Sequence, residues 1–272
     1  MHIEDQDFFK LRDYIKSHYG VNLEKKRTLI EGRLTNSITK GGFDNFHDYL
    51  EDIFSDKSGA KINSLMTKLT TNYTYFMREE THYKFMEEVA LPYWSSTIRD
   101  RDLRIWSAGC ASGEEAYTTA MVLSEWFGIK KKEWDTTILA TDISLKVLEM
   151  AKRGVYPEEH FERLPAAWKA KYFNKVGAED YEVNSALAKE VVFSQFNLMG
   201  DFNRFKKKFH IIFCRNVMIY FDPPTKAALA KKFYSALDAG GYLFIGLSET
   251  LSGISGDFQQ TAPAIYRRAV NK

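Results

Sequence analysis

The sequence predicts an α/β fold: a parallel sheet built from residues beyond about 100, preceded by a small all-α domain over residues 1–71. Three observations carry this. Apolar residues at helical spacing fill the first seventy positions without a strand signal. From Leu103 onward, short apolar runs alternate with helix-like stretches. That alternation is the pattern of a parallel sheet with crossover helices and a ligand crevice at the strand C-terminal ends. The length, 272 residues, suits one large domain with a smaller companion.

Taken in order, Phe8, Leu11, Tyr14 and Ile15 recur at helical spacing, and Gly20 stands where that helix would stop. A second helix is expected from about Leu23 to Lys40, with Ile30, Leu34 and Ile38 on one face and Gly41-Gly42 ending it. Phe46, Tyr49, Leu50 and Ile53, then Ile62, Leu65, Met66 and Leu69, continue the pattern. A strand at Leu103–Trp106 leads through Ser107–Gly113 into a helix carrying Ala116, Met121, Leu123 and Trp126. Thr136–Thr141 is a second strand ending at Asp142, and Ser144 is placed to cap the helix of Val147, Leu148 and Ala151. Phe209–Cys214 reads as a buried strand and Lys226–Leu237 as a helix closed before Gly240-Gly241. Tyr242–Leu247 and Ala264–Arg268 are the last strands. Residues about 155–195 break the rhythm with strand signals at Tyr181–Val183 and Val191–Phe193, and are read as an inserted subdomain.

Composition narrows the function classes. Lys and Arg number 38 against 36 Asp and Glu, a net charge of +2 that gives no whole-chain nucleic-acid signature. Apolar residues make up 44%, too many for a disordered chain. Two Cys cannot build a disulfide framework, and no Cys/His spacing suits zinc, so no metal is expected. The acidic N-terminus lacks a signal-peptide run, and no stretch approaches the roughly 18 apolar residues of a membrane span. A cytoplasmic protein without membrane insertion is expected.

Four loops hold the chemistry. Gly109 and Gly113 bracket Cys-Ala-Ser in the first strand–helix turn, allowing a sharp turn beneath a ligand. The pattern is neither G-x-x-x-x-G-K-[ST] nor G-x-G-x-x-G, and Glu114-Glu115 would oppose a pyrophosphate. Carboxylates there suit an ammonium or sulfonium group; a plain connection is the alternative. Asp142 at the next strand end would accept from both hydroxyls of a ribose, or else serve as a turn residue. Glycine turn and acid together point to a nucleoside cofactor, and S-adenosylmethionine fits better than NAD. The third loop is Phe213-Cys-Arg-Asn-Val-Met-Ile-Tyr-Phe221. Its Arg215 and Asn216 stand where ligand-contacting loops lie, and Tyr220 is placed to reach a reacting centre; the alternative makes Val217, Ile219 and Phe221 core and Arg215 a surface ion pair. The fourth segment, Leu69-Thr-Thr-Asn-Tyr-Thr-Tyr-Phe-Met-Arg-Glu79, is either a polar lid at the domain junction or a linker.

In combination these segments resemble the chemotaxis receptor methyltransferase family (CheR-type), which uses S-adenosylmethionine to methylate receptor glutamates. Leu69–Glu79, Ile105–Tyr117, Ala140-Thr-Asp-Ile143, Cys214–Phe221 and Gly246-Leu-Ser-Glu249 carry the resemblance, in family order. It implies a Rossmann-like methyltransferase sheet over residues 72–272 with a C-terminal antiparallel strand, S-adenosyl-L-methionine as cofactor and S-adenosyl-L-homocysteine as product. Residue by residue, it implies cofactor contacts at Asn72, Thr74, Arg78, Glu115, Asp142, Asn197, Leu198, Arg215 and Asn216. Arg78 and Tyr220 match the positions nearest the methyl group and substrate. Ala116 departs from the family's usual Pro, and Cys110 from its usual small Ala; both thiols are expected to be passive.

The implied partner is the cytoplasmic helical region of methyl-accepting chemotaxis receptors, with no nucleic acid and a monomeric enzyme. A glutamate is already ionised near pH 7, so positioning rather than proton transfer is expected. At about 100° per residue, Lys25, Lys26, Arg33 and Lys40 form a basic stripe suited to an acidic helical partner, or a merely solvated face. Asp222-Pro223-Pro224 approaches the [ND]-P-P-[YF] motif of amine methyltransferases, but Thr225 replaces the aromatic residue. A non-catalytic cofactor-binding signalling domain is the other alternative.

Overall fold

The structure, a computed structural model, describes residues 1–254 and 256–270. Its first part is helical: α1 (Asp5–Tyr19), α2 (Arg27–Lys40), α3 (Phe46–Ser55) and α4 (Ala60–Leu69). Ile30, Leu34 and Ile38 are buried at the spacing the sequence shows. However, α2 begins at Arg27, not Leu23. The Asn22 side chain accepts from Glu24 N, and Asn22 N donates to Tyr220 O at 2.7 Å. Val21 bridges to Phe221, so residues 21–26 are drawn out against the second part of the chain. Lys25 and Lys26 therefore precede the helix, and the predicted helical stripe is not continuous.

A helical segment that the sequence reading missed comes next. It comprises α5 (Glu80–Phe85), a π-helical turn at Met86–Ala90, and α6 (Leu91–Thr97). Tyr83, Met86, Ala90, Leu91 and Trp94 are buried. The wide turn shifts the apolar register away from a 3.6-residue period, which hides the element from periodicity.

The sheet then builds from β1 (Ile105–Ala108), α7 (Glu114–Phe127), β2 (Ile138–Asp142) and α8 (Leu145–Arg153). After α8 the chain makes a small sheet: β3 (Val155–Pro157), α9 (Ala166–Tyr172), β4 (Phe173–Lys175) and β5 (Asp180–Val183), in antiparallel order β3–β5–β4. Next come α10 (Ser185–Ala188) and β6 (Val191–Gln195). β6 pairs parallel with β2, Ile138 opposite Val191, so Val191–Phe193 belongs to the main sheet and not to the insertion. β7 (Phe209–Cys214), α11 (Pro223–Ala236), β8 (Leu237–Ile245), β9 (Phe258–Ala262) and β10 (Ile265–Arg268) complete the fold.

The main sheet has seven strands in the order β6–β2–β1–β7–β8–β10–β9. The first five are mutually parallel, and β10 runs antiparallel to both β8 and β9. β9 was not foreseen: its Gln259, Gln260 and Thr261 are exposed on an edge strand, so no apolar run marks it. Chain order reverses at β1, where strands added on one side give way to β7 on the other. That switch point opens a crevice beyond the strand C-termini. Alternation along β1 turns Trp106 to one face, ringed by Phe196, Phe202, Phe205, Phe209 and Phe233 at 4.8–5.7 Å between ring centres. The apolar core on this face runs continuously into the helical domain, which fixes that domain over the crevice.

Candidate functional site

The turn after β1 follows from its two glycines. Gly109 has φ +99°, and a Cβ there would lie 2.5 Å from Val217 Cγ2; Gly113 has φ +97°, with a Cβ 2.8 Å from that of Ala151. Only glycine lets this turn fold against both the loop after β7 and α8. Gly109 and Cys110 donate their N–H groups to Thr141 O, binding the turn to the end of β2. The adjacent acids then part. Glu114 points inward, completely buried, and accepts from Ser112 Oγ while pairing with His160 Nδ1 at 2.7 Å. Glu115 points into the crevice.

A cavity of about 570 Å³ lies beyond β1, β2 and β7 beneath the helical domain, within the roughly 300–1,000 Å³ of small-molecule sites. Asn72, Thr74, Arg78, Glu115, Asp142, Asn197, Leu198, Arg215, Asn216 and Tyr220 all line it. Of the predicted docking cations, Lys26 and Arg33 line it, whereas Lys25 and Lys40 lie outside. Arg33 also has a role within the helical domain: Nη1 donates to Leu69 O at 2.7 Å and Nη2 to Thr71 Oγ1 at 2.7 Å. It closes the carbonyl end of α4.

The acids of the cavity are held in place. Asp142 Oδ2 accepts from Ala111 N at 3.0 Å and Oδ1 from Ser144 N at 2.9 Å. Each oxygen keeps lone-pair capacity towards the cavity. Burial raises its pKa against the opposing pull of these N–H groups. Glu115 Oε1 accepts from Ser107 Oγ at 2.6 Å and Oε2 from Arg215 Nη1 at 3.0 Å; burial raises its pKa as well. Arg215 is therefore no surface ion pair: it is buried, and its Nε also meets Glu79 Oε2 at 3.1 Å.

The junction segment is fixed from both sides. Phe76 N donates to His160 O, and the Phe76 ring packs among Tyr156, Phe161 and Phe173 of the small subdomain. Met77 and Glu79 both take left-handed backbone, φ 60° and 57°, a strained choice for side-chain residues. Between them, Arg78 donates from Nη1 to Tyr73 O at 2.9 Å, and its own carbonyl accepts from Arg215 Nη2. Tyr220 OH accepts from Thr71 N at 3.1 Å and donates to Thr71 O at 3.2 Å. Asn197 Nδ2 donates to His18 O at 2.7 Å. Tyr220 and Asn197 thus tie the helical domain to the sheet as well as lining the cavity.

Sequence reasoning gave no role to Glu79 or Glu249, although both lie in segments that carry the resemblance. Glu249 accepts from the N–H groups of Gly246, Asn216 and Ile219, which shapes the loop holding Arg215 and Asn216 in a left-handed turn at Asn216 (φ 58°). The available sequence signal was Gly246-Leu-Ser-Glu249, an acid three residues after the glycine that follows an apolar strand. Asp222 resolves the Asp-Pro-Pro motif: it caps α11, accepting from Thr225 N at 3.0 Å, and pairs with Lys16 at 2.8 Å. Both cysteines are free and buried, and burial pushes each thiol's pKa well up, which disfavours the reactive thiolate.

The donor set suits S-adenosylmethionine: a carboxylate with spare acceptor capacity at the second strand end, a second acid behind the glycine turn, and no phosphate-binding loop. Comparison with known proteins agrees. The family description "CheR methyltransferase, SAM binding domain" matches residues 72–266, and "CheR methyltransferase, all-alpha domain" matches residues 6–70. A chemotaxis protein methyltransferase of Borreliella burgdorferi is 40% identical over 272 aligned residues, covering 98% of this chain and 96% of the relative. A probable chemotaxis protein methyltransferase of Rhizobium etli is 36% identical, covering 88% and 90%. The chemotaxis protein methyltransferase of Escherichia coli is 31% identical, covering 97% and 91%. With both family domains present in order around this cavity, the chain belongs to the CheR methyltransferase family and is an S-adenosylmethionine-dependent methyltransferase.

Proposed function

We propose that this enzyme methylates glutamate side chains of methyl-accepting chemotaxis receptors, giving glutamate methyl esters and S-adenosylhomocysteine. The names of its relatives support a chemotactic role. The observation that supports the choice of a carboxylate is that no histidine lines the cavity among the described residues, and the acids and the Tyr220 hydroxyl there are already held by fixed partners. Glu115 is engaged by Ser107 and Arg215, Asp142 by two backbone N–H groups, and the Tyr220 hydroxyl by both polar groups of Thr71. An amine or hydroxyl acceptor would have to lose a proton; a glutamate near pH 7 would not.

When bound, S-adenosylmethionine supplies a methyl group on a sulfonium: a carboxylate oxygen forms the new O–C bond as the C–S bond breaks, its electron pair staying on sulfur. The chain's part is placement. Asp142 takes the ribose hydroxyls, Glu115 faces the cationic end of the methionine moiety, and Asn197 and Leu198 border the adenine. Asn72, Thr74 and Arg78 close the cavity from the junction, Arg215 and Asn216 form its far wall, and Arg78 and Tyr220 stand nearest the reacting centre. Residues 1–71 cover the site and meet the receptor; residues 72–272 carry the transfer. We place the enzyme in the cytoplasm as a monomer; no helix among the described residues is long and apolar enough to cross a membrane. The test is incubation with labelled methyl donor and receptor cytoplasmic fragments. Alkali-labile label is expected, since methyl esters hydrolyse in alkali; alkali-stable label would point to an amine or base acceptor instead.

A further inference from the structure

The two acids that open α7 each meet a basic side chain, and each of those basic residues also holds the junction segment. Glu115 pairs with Arg215, which pairs with Glu79 and donates from Nη2 to Arg78 O. Glu114 pairs with His160 Nδ1 at 2.7 Å, and His160 O accepts from Phe76 N at 3.1 Å. Residues 76–79 are thus clamped at both ends, with the left-handed backbone of Met77 and the cavity-lining Arg78 between the clamps. The first clamp lies at the cavity. The second belongs to the small subdomain, in the 3₁₀ turn Glu158–Phe161 that follows β3. The same subdomain reaches the glycine turn a second time: Tyr156 OH donates to Ser112 O at 2.7 Å, and Ser112 Oγ donates to Glu114 Oε2 at 2.8 Å.

We propose that His160 is a positioning residue of the methyltransferase site, its imidazolium fixing the glycine turn through Glu114 while its carbonyl fixes the junction segment through Phe76. Glu114 is completely buried, and a buried carboxylate needs a compensating charge. Among the described residues, His160 is the one basic group paired with it. The ring keeps 21% exposure, so it exchanges its proton with solvent. The titratable groups around it are Glu114 at the start of α7, the neighbouring Glu159 and Tyr156 of β3. The bond to Glu114 holds its pKa above the ordinary value of about 6.5, against the opposing effect of burial. The charged clamp is therefore complete below about pH 6.5 and is lost as pH rises through the raised pKa. Nδ1–H then still donates, but no positive charge faces Glu114. Losing that charge loosens the turn whose Ala111 N holds Asp142 and the segment that presents Arg78, so cofactor affinity falls with it.

The test is titration calorimetry of S-adenosylhomocysteine into the full chain, a measurement that needs no methyl acceptor, with urea unfolding as a separate measure of stability. The wild-type dissociation constant should rise about threefold or more between pH 6 and pH 8, the span over which the charged clamp is lost. His160→Ala should bind about tenfold more weakly than wild type at pH 6, as loss of a hydrogen bond to a charged group implies. His160→Asn keeps a donor at the position of Nδ1 without the charge. It should bind at both pH values as the wild type does at pH 8, which also separates the clamp from any titration of the ligand. Glu114→Gln, with His160 in place, should flatten the profile in the same way. A pH dependence as steep in His160→Asn and Glu114→Gln as in the wild type overturns the proposal. So does a folded His160→Ala that loses urea stability but keeps wild-type affinity at pH 6, since the histidine would then serve the fold alone.

Discussion

Arg215 Nε lies 3.1 Å from Glu79 Oε2 while Nη1 of the same guanidinium lies 3.0 Å from Glu115 Oε2. One buried cation thus joins a carboxylate of the junction segment to one at the start of α7. Burial opposes its charge, but Tyr83, Glu115 and Glu79 outweigh this and raise its pKa. Burial also opposes ionisation of Glu79, yet Arg215 and the Leu247 N–H hold its pKa below the ordinary value. Glu115 is enclosed more completely, and there burial wins. With all three ionised, the cluster keeps one negative charge in excess, which favours a cationic ligand over an anionic one.

Removing Glu79 should therefore cost more than one contact. Glu79→Ala leaves Leu247 N without its acceptor and Arg215 with Glu115 as its one carboxylate partner, and it frees the strained turn that presents Arg78. Breaking a buried pair costs roughly 3–5 kcal/mol; partial exposure of Glu79 places the expected loss near the lower end. Urea unfolding should show it, and S-adenosylhomocysteine should bind at least tenfold more weakly by titration calorimetry. Glu79→Gln keeps a hydrogen-bonding side chain and should fall between the two. Wild-type stability in Glu79→Ala would remove this cluster as an organiser of the site.

Turnover should show no bell-shaped pH dependence arising from Arg78 or Tyr220. The Tyr220 hydroxyl spends its donor and an acceptor on Thr71, so Tyr220→Phe should lower stability by about 1–2 kcal/mol and loosen the helical domain. Arg78→Ala should reduce kcat, since Arg78 lines the cavity, without changing the shape of the profile. A bell that disappears in either variant would show proton transfer and refute the positioning mechanism.

Much of this site was legible because its residues lie in local loops. A glycine turn, an acid at a strand end and Arg-Asn after a buried strand each have a local signature, and the fold brings all of them to one cavity. Orientation was less legible. Glu114 and Glu115 are adjacent in sequence, but only the helix's angular step sends one to His160 and the other to the cavity. The intramolecular partners of Arg33, the carbonyl of Leu69 and the hydroxyl of Thr71, were not legible because they lie more than thirty positions away in the chain. The segment after Glu79 was invisible for a different reason: a π turn breaks the periodicity by which helices are recognised.

Acid should destabilise the fold before it neutralises most carboxylates. Burial depresses His82 and His210 to about 4, from an ordinary value of about 6.5. Both ring nitrogens of His82 lack a hydrogen-bond partner, so the ring is buried neutral. The unfolded chain binds a proton at pH values where the folded chain does not, so stability rises with pH through this window. It is complete above about pH 6.5 and is lost as pH falls towards 4. By pH 5 each histidine should cost about 2 kcal/mol. Urea midpoints at pH 7 and pH 5 measure this, and His82→Leu should recover roughly half of the difference. A pH-independent midpoint across this range would show that the two rings are not held neutral.

Asp142 gives the sharpest test of how the cavity reads its ligand. Its two oxygens each take one backbone N–H and leave capacity towards the cavity, the geometry required to accept from two neighbouring hydroxyls. A hydrogen bond to a charged group contributes about 1.5–3 kcal/mol, so Asp142→Asn should weaken S-adenosylhomocysteine binding by roughly 10- to 100-fold. That loss alone would be ambiguous, because Asp142 also holds the turn at Ala111 and the start of α8. Comparison with the 2′-deoxy analogue of S-adenosylhomocysteine separates the two effects. The wild-type enzyme should prefer the ribose form by about tenfold or more, and Asp142→Asn should lose most of that preference whatever it does to both affinities. A preference that survives the substitution would mean that Asp142 shapes the turn while another group reads the ribose.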